Sequence, residues 1–139
     1  MWRIMTVSHE AAQRAIAGAQ EQARQLNARV TVALVDEGGF PRAPGRMDGA
    51  PTLSPRVAET KASSAALFGR DGSELRDARA AWPAFFAQLD QLAPAPLLAG
   101  AGALLIRQDD TILGAIAVSG GQPGQDESCA AAGLAALNS

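Results

Sequence analysis

Two strand-forming stretches, each folding back over a short polar turn, constrain this chain more than any other feature. The first is Val30-Thr31-Val32-Ala33-Leu34-Val35. Its β-branched side chains suit the pleated surface of a buried strand. Asp36-Glu37-Gly38-Gly39 follows as a turn, so the chain should return as a hairpin over about Phe40 to Met47. That returning strand carries Pro41 and Pro44. Proline donates nothing to a ladder, which makes this an edge strand or a bulged one. The second hairpin runs through Ala103-Leu104-Leu105-Ile106-Arg107, turns at Gln108-Asp109-Asp110, and returns over Thr111 to Val118.

Helical patterns fill the rest. Ala12, Ile16, Ala19, Ala23 and Leu26 recur at helical spacing inside a segment from about His9 to Leu26. Thr6 or Ser8 can cap its start, Glu10 answers the positive first turn, and Asn27 suits a left-handed stop. Ser54-Pro55 reads as a cap followed by proline at the first helical position, with the helix ending at Phe68 before Gly69. Asp71-Gly72-Ser73 should cap a helix beginning at Glu74, and Pro83 should divide it from a short segment ending at Leu89. Gly120 to Gln125 reads as a flexible loop, with Asp126 capping a final helix that carries Cys129, Ala132, Leu134, Ala136 and Leu137. The order α-β-β-α-α-β-β-α predicts an α+β fold, a mainly antiparallel sheet with helices packed on it.

A chain of 139 residues suits one domain, residues 1–139, large enough to build a core without staples. Apolar residues are 47% and charged ones 19%, a globular balance. The net charge of −2 is spread along the chain and contains no basic run, which argues against nucleic acid as a partner. The lone Cys129 excludes an internal disulfide. Neither a signal-like start nor a membrane-spanning apolar run occurs, so a cytoplasmic protein without membrane partners is the expectation.

Several blocks occur together and in order: Val35-Asp36-Glu37-Gly38-Gly39, Arg46-Met47-Asp48-Gly49-Ala50-Pro51, Lys61-Ala62-Ser63-Ser64-Ala65, Phe68-Gly69-Arg70, Gly114 to Gly121, Gln125-Asp126-Glu127, and Ala132 to Leu137. Jointly they resemble the GlcG/HbpS-like family, described as haem-degrading or haem-binding. The resemblance spans nearly the whole chain. It implies a profilin-like α/β sandwich and assembly into dimers or larger homo-oligomers. It implies haem as the first cofactor to consider. The chain departs from the family pattern at Phe40, where many members carry histidine after the turn. It departs again at Ala99-Gly100-Ala101-Gly102, where many carry a Gly-Gly-x-Pro-Ile run.

Three groups of residues could carry chemistry. Arg46 offers a planar fork for a carboxylate or phosphate, and Asp48 could orient it or act as a base. The same two residues would also serve as a salt bridge and turn cap. Lys61 sits among small residues, where a partly buried ammonium can act as base, acid or Schiff-base amine; a surface lysine with its stem laid along the helix has the same spacing. Ser119-Gly120-Gly121 leads from a strand into a helix N-terminus, whose free N–H groups suit an anion. Asp126 joins that group as a ligand contact or as a helix cap. His9 is the only histidine and has no partner spacing for a metal. Cys129 reads as a small buried hydrophobe. Axial donors for haem would have to come from His9, Cys129, Lys61, Met1, Met5 or Met47.

Three functions compete. The first is a small-molecule or cofactor binding domain in which Arg46, Asp48, Lys61, Ser119, Gly120, Gly121 and Asp126 contact a small anionic ligand, haem first. The second is a cofactor-free enzyme acting on a small carboxylate or carbonyl compound, an isomerase, tautomerase or lyase. There Lys61 or Asp48 would move a proton while Arg46 holds the anion. The third is a ligand-free structural subunit whose alanine-rich last helix approaches a neighbour closely.

Overall fold

A computed structural model describes residues 7–137. The elements are α1 (His9–Gln25), β1 (Thr31–Asp36), β2 (Pro41–Arg46), α2 (Ser54–Phe68), α3 (Gly72–Ala81), α4 (Pro83–Leu92), β3 (Ala103–Gln108), β4 (Thr111–Ser119) and α5 (Pro123–Ala136). The four strands form one sheet in the order β2-β1-β4-β3, and every neighbouring pair is antiparallel. Both predicted hairpins are present. The longer-range pairing of β1 with β4 joins them at the centre of the sheet.

β2 is both an edge strand and a bulged one. Its register shifts where Leu34 faces Ala43 but Val35 faces Pro41. Edge position tolerates the two prolines because the outward side of the strand has no ladder to complete. β3 is the opposite edge. There the Asp71 carboxylate accepts from the Leu105 N–H at 2.8 Å, which blunts an otherwise open strand.

The strands alternate as a two-faced sheet requires. Val32, Leu34, Ile116 and Val118 join a core with α1 and α5, while Val35, Ala115 and Ala117 join a second core with α2. The result is an α/β sandwich. Each fully buried Leu or Ile on these faces contributes roughly 1.5–3 kcal/mol relative to exposure. Small residues set the spacing. Gly133 lies so close to Ile116 and the Ala15 carbonyl that a Cβ there would overlap both, and Gly18 lies equally close to Ala136. The alanine-rich last helix therefore makes its close approach to α1 within the chain.

Four local expectations need correction. Ser54 lies inside α2 with Leu53 as the cap; its hydroxyl instead donates to the Pro51 carbonyl and meets Thr31 Oγ1. α3 begins at Gly72, and the Asp71 side chain serves β3 rather than the helix start. α4 continues to Leu92. Asp126 is not the cap of α5, which starts at Pro123 after Gln122; the Gln122 N–H is held by Gln125 Oε1 at 2.9 Å. Pro123 preorganises that first turn, so helix replaces the second half of the expected loop. Ser8 does cap α1, accepting from the Ala11 N–H, and Asn27 does take a left-handed φ of 56°. Thr6, the alternative cap, lies outside the described residues.

Candidate functional site

Lys61 projects from α2 into the protein and is only 6% exposed. Its Nζ donates to the Val118 carbonyl at 2.6 Å and to the Ala101 carbonyl at 2.8 Å. Asp126 Oδ2 stands 3.8 Å away, and Asp126 is equally buried. Asp126 Oδ1 accepts from the Gly121 N–H at 2.9 Å. Gly102 makes room for this arrangement. Its φ is +97°, and a Cβ would sit 2.8 Å from Asp126 Cβ and 2.9 Å from Lys61 Nζ. The cluster ties α2, the segment before β3, the end of β4 and α5 together at one point. Of the two readings of Lys61, the buried ammonium is the one observed, and the surface lysine is excluded.

Burial pushes the Lys61 pKa below the usual lysine range, opposed by the charges of Asp126 and Glu127. Burial pushes Asp126 upward, opposed by the Gly121 N–H and by Lys61. Both partners thus feel desolvation more strongly than they feel each other. Cys129, buried as expected, has its thiol pushed up by burial and then by the Asp126 charge, which disfavours a thiolate nucleophile.

Arg46 and Asp48 belong to a different place. Both are exposed, and no ion pair forms between them among the described residues. Arg46 Nη2 donates to the Ala50 carbonyl at 3.4 Å, and Arg29 Nη1 donates to the Asp48 carbonyl at 3.0 Å. With Gln20, Arg24 and Met47 they line a groove of about 300 Å³ beside β2. One register row crosses the sheet from this groove toward the lysine cluster: Arg46 opposite Thr31, and Thr31 opposite Ser119. Gly120 then passes so close to the Arg29 carbonyl that only glycine fits. The structure brings Lys61, Asp126 and Gly121 together and leaves Arg46 and Asp48 as a separate exposed pair.

A third feature lies at the opposite edge. A cleft of about 930 Å³ runs along β3 between α1 and α5. Leu104, Leu113 and Leu134 supply apolar surface, Arg14 and Arg107 supply positive charge, and Asp71, its carboxylate held by the Leu105 N–H, lines the same cleft. No part of this cleft was singled out from the sequence. Its residues are ordinary core-edge residues, and only the folding of three distant segments makes them a concavity. The Ser64 contact was likewise not read from the sequence; its hydroxyl accepts from the Leu98 N–H at 2.9 Å and pins the segment leading to Ala101. Its spacing of three from Lys61 on α2 was the available signal.

A family model described as haem degrading protein HbpS-like matches residues 7–135. No curated protein sequence matches the chain. Among solved structures, a double mutant of Streptomyces reticuli HbpS is 30% identical, with a TM-score of 0.86 over 99% of this chain and 90% of that one. Klebsiella pneumoniae protein ORFY is 26% identical, with a TM-score of 0.89 over 100% and 95%. A PduOC complex with haem is 27% identical, with a TM-score of 0.85 over 96% of each chain.

Proposed function

The chain belongs to the HbpS-like family, and from that premise we propose that it binds a small anionic molecule, with haem the first ligand to test. The observation that carries this proposal is the cleft along β3. An apolar wall beside two guanidinium groups suits an amphipathic acid, in which a flat apolar body lies against Leu104, Leu113 and Leu134 while its carboxylates meet Arg14 and Arg107. The PduOC complex with haem lends support from the same fold.

The fit to haem is partial. The cleft offers surface for the ring and partners for its acids, but none of its lining residues offers a histidine, cysteine or methionine to the iron. His9 is exposed and faces Gln13, Cys129 is buried, and Met47 packs at the β2 groove. Met1 and Met5 lie outside the described residues. Lys61 Nζ is engaged by two carbonyls. No chemical step is therefore assigned through iron.

Haem titration followed by absorbance tests the proposal. Saturation at stoichiometric haem is expected, weakened about tenfold when Arg14 and Arg107 are both changed to alanine, the equivalent of ~1.4 kcal/mol. An unchanged absorbance at stoichiometric haem overturns the haem assignment.

The proton-transfer enzyme receives less support. It needs a substrate at Lys61, whose ammonium is enclosed and already shared between backbone carbonyls and Asp126. We assign Lys61 and Asp126 to holding the pre-β3 segment and α5 in place. Self-association is part of the proposal. Trp82, Phe85 and Leu92 are exposed on α3–α4, with Leu67 beside Leu92. Apolar side chains in that number mark an interaction surface, and a second copy is its proposed occupant.

A further inference from the structure

We propose that the groove between α1 and β2 is a binding site for a small multiply charged oxyanion, a phosphate group first. This site lies at the edge of the sheet opposite the cleft and does not depend on the haem assignment. Three guanidinium groups line it: Arg24 from the last turn of α1, Arg29 from the turn into β1, and Arg46 from the end of β2. They come from three separate stretches of chain, so the charge is concentrated by the fold rather than by a basic run.

Each of the three is oriented by one contact and keeps further N–H donors. Arg29 is held by the Asp48 carbonyl and Arg46 by the Ala50 carbonyl. Arg24 is held by Glu21 at 3.1 Å. A guanidinium has five donors in a planar fork, which leaves Arg29 and Arg46 able to grip an oxyanion from two directions. Among the described residues neither of these two has a carboxylate within salt-bridge distance. Asp48 lines the same groove, and its carboxylate pairs with neither of them.

Gln20 completes the floor for a visible reason. Gly45 of β2 has no side chain, and a Cβ there would come within 2.9 Å of Gln20 Nε2. The glycine therefore lets the amide lie over the strand at the groove. A volume of about 300 Å³ takes a phosphate or a small phosphate ester and leaves no room for a large apolar body. The chain as a whole carries −2, so this local surplus of arginine stands against the general charge.

Titration with inorganic phosphate at constant ionic strength, followed by calorimetry, tests the site. Saturable binding is expected. Arg29→Gln and Arg46→Gln should each weaken it about tenfold or more, as loss of a charge-assisted fork requires. Asp48→Asn should tighten it about threefold by removing a like charge. Arg76→Gln, on α3 away from the groove, should leave it unchanged. Unchanged melting temperatures in the groove variants show that they fold, since all three positions are exposed. Absence of saturation overturns the proposal, as does equal weakening by Arg76→Gln. Saturation by succinate without saturation by phosphate overturns the phosphate assignment. Haem titration of the same variants separates the two sites: unchanged haem binding is expected, and joint loss of haem and phosphate would assign the groove to the haem ligand instead.

Discussion

Lys61 shows how one side chain can organise several elements while disfavouring its own charge. Its ammonium is desolvated, and its pKa lies below the ordinary 10.5. In the window between that lowered value and 10.5 the unfolded chain binds more protons than the folded one, so stability rises with pH there. Asp126 acts at the other end. Its pKa is raised above 3.8, so between 3.8 and the raised value the folded state holds more protons and stability falls as pH rises. Urea midpoints measured across pH should therefore climb on the alkaline side in the native protein. In Lys61→Met that alkaline climb should be absent; its persistence would show that another group is responsible. The same variant should lose about 2–4 kcal/mol near neutral pH, because it strands a buried carboxylate and two carbonyls. Gly102→Ala should cost about 2–4 kcal/mol as well, since its φ of +97° and its contacts with Lys61 and Asp126 both oppose a Cβ. Denaturant unfolding checks both.

At the scale of elements, the α1–α5 contact rests on small side chains. Gly133 faces Ile116 and Ala15, and Gly18 faces Ala136, at distances that leave no space for an added methyl. Gly133→Ala should destabilise by about 1–3 kcal/mol through overpacking, despite its better helix propensity. A gain in melting temperature would show that the two helices can slide apart without cost. β2 follows a different logic. Its prolines, its bulge and its glycine make it a poor ladder member, and Gly45 instead admits Ile16 and Gln20 from α1. The strand thus works as a platform for the arginine groove more than as a sheet component.

For the whole molecule, the proposed self-association rests on the exposed apolar side chains of α3–α4. Two shallow apolar hollows lie there, one between Phe68 and Leu92 and one beside Trp82 and Phe85. Burial of this face by a second copy is the proposed arrangement. Trp82→Glu with Phe85→Glu should shift the protein toward monomer in sedimentation velocity, since two carboxylates in an apolar contact each cost several kcal/mol to desolvate. If the native protein already sediments as a monomer at high concentration, the self-association proposal fails. Among the described residues no helix is long and apolar enough to cross a membrane.

Much of this fold was legible because its signals are local. Val30 to Val35 is strand-forming whatever surrounds it, Asn27 and Gly69 stop helices through their own backbone freedom, and Pro83 divides α3 from α4 by its missing N–H. The errors fall where side chains had distant alternatives. Asp71 found the Leu105 N–H at the β3 edge, and Asp126 found Gly121 and Lys61. Ser54 found Thr31. A capping preference is worth about 1 kcal/mol, which a buried partner elsewhere readily outweighs. The sequence singled out candidate residues one at a time and could not group them. Lys61, Asp126 and Gly121 converge, whereas Arg46 and Asp48 join Arg24 and Arg29 at the sheet edge. The two hairpins and their helices were determined by the sequence alone, because periodicity and turn chemistry act over a few residues. The pairing of β1 with β4, the enclosure of Lys61 and the meeting of three arginines were decided only by tertiary structure, because each joins residues that no local rule connects.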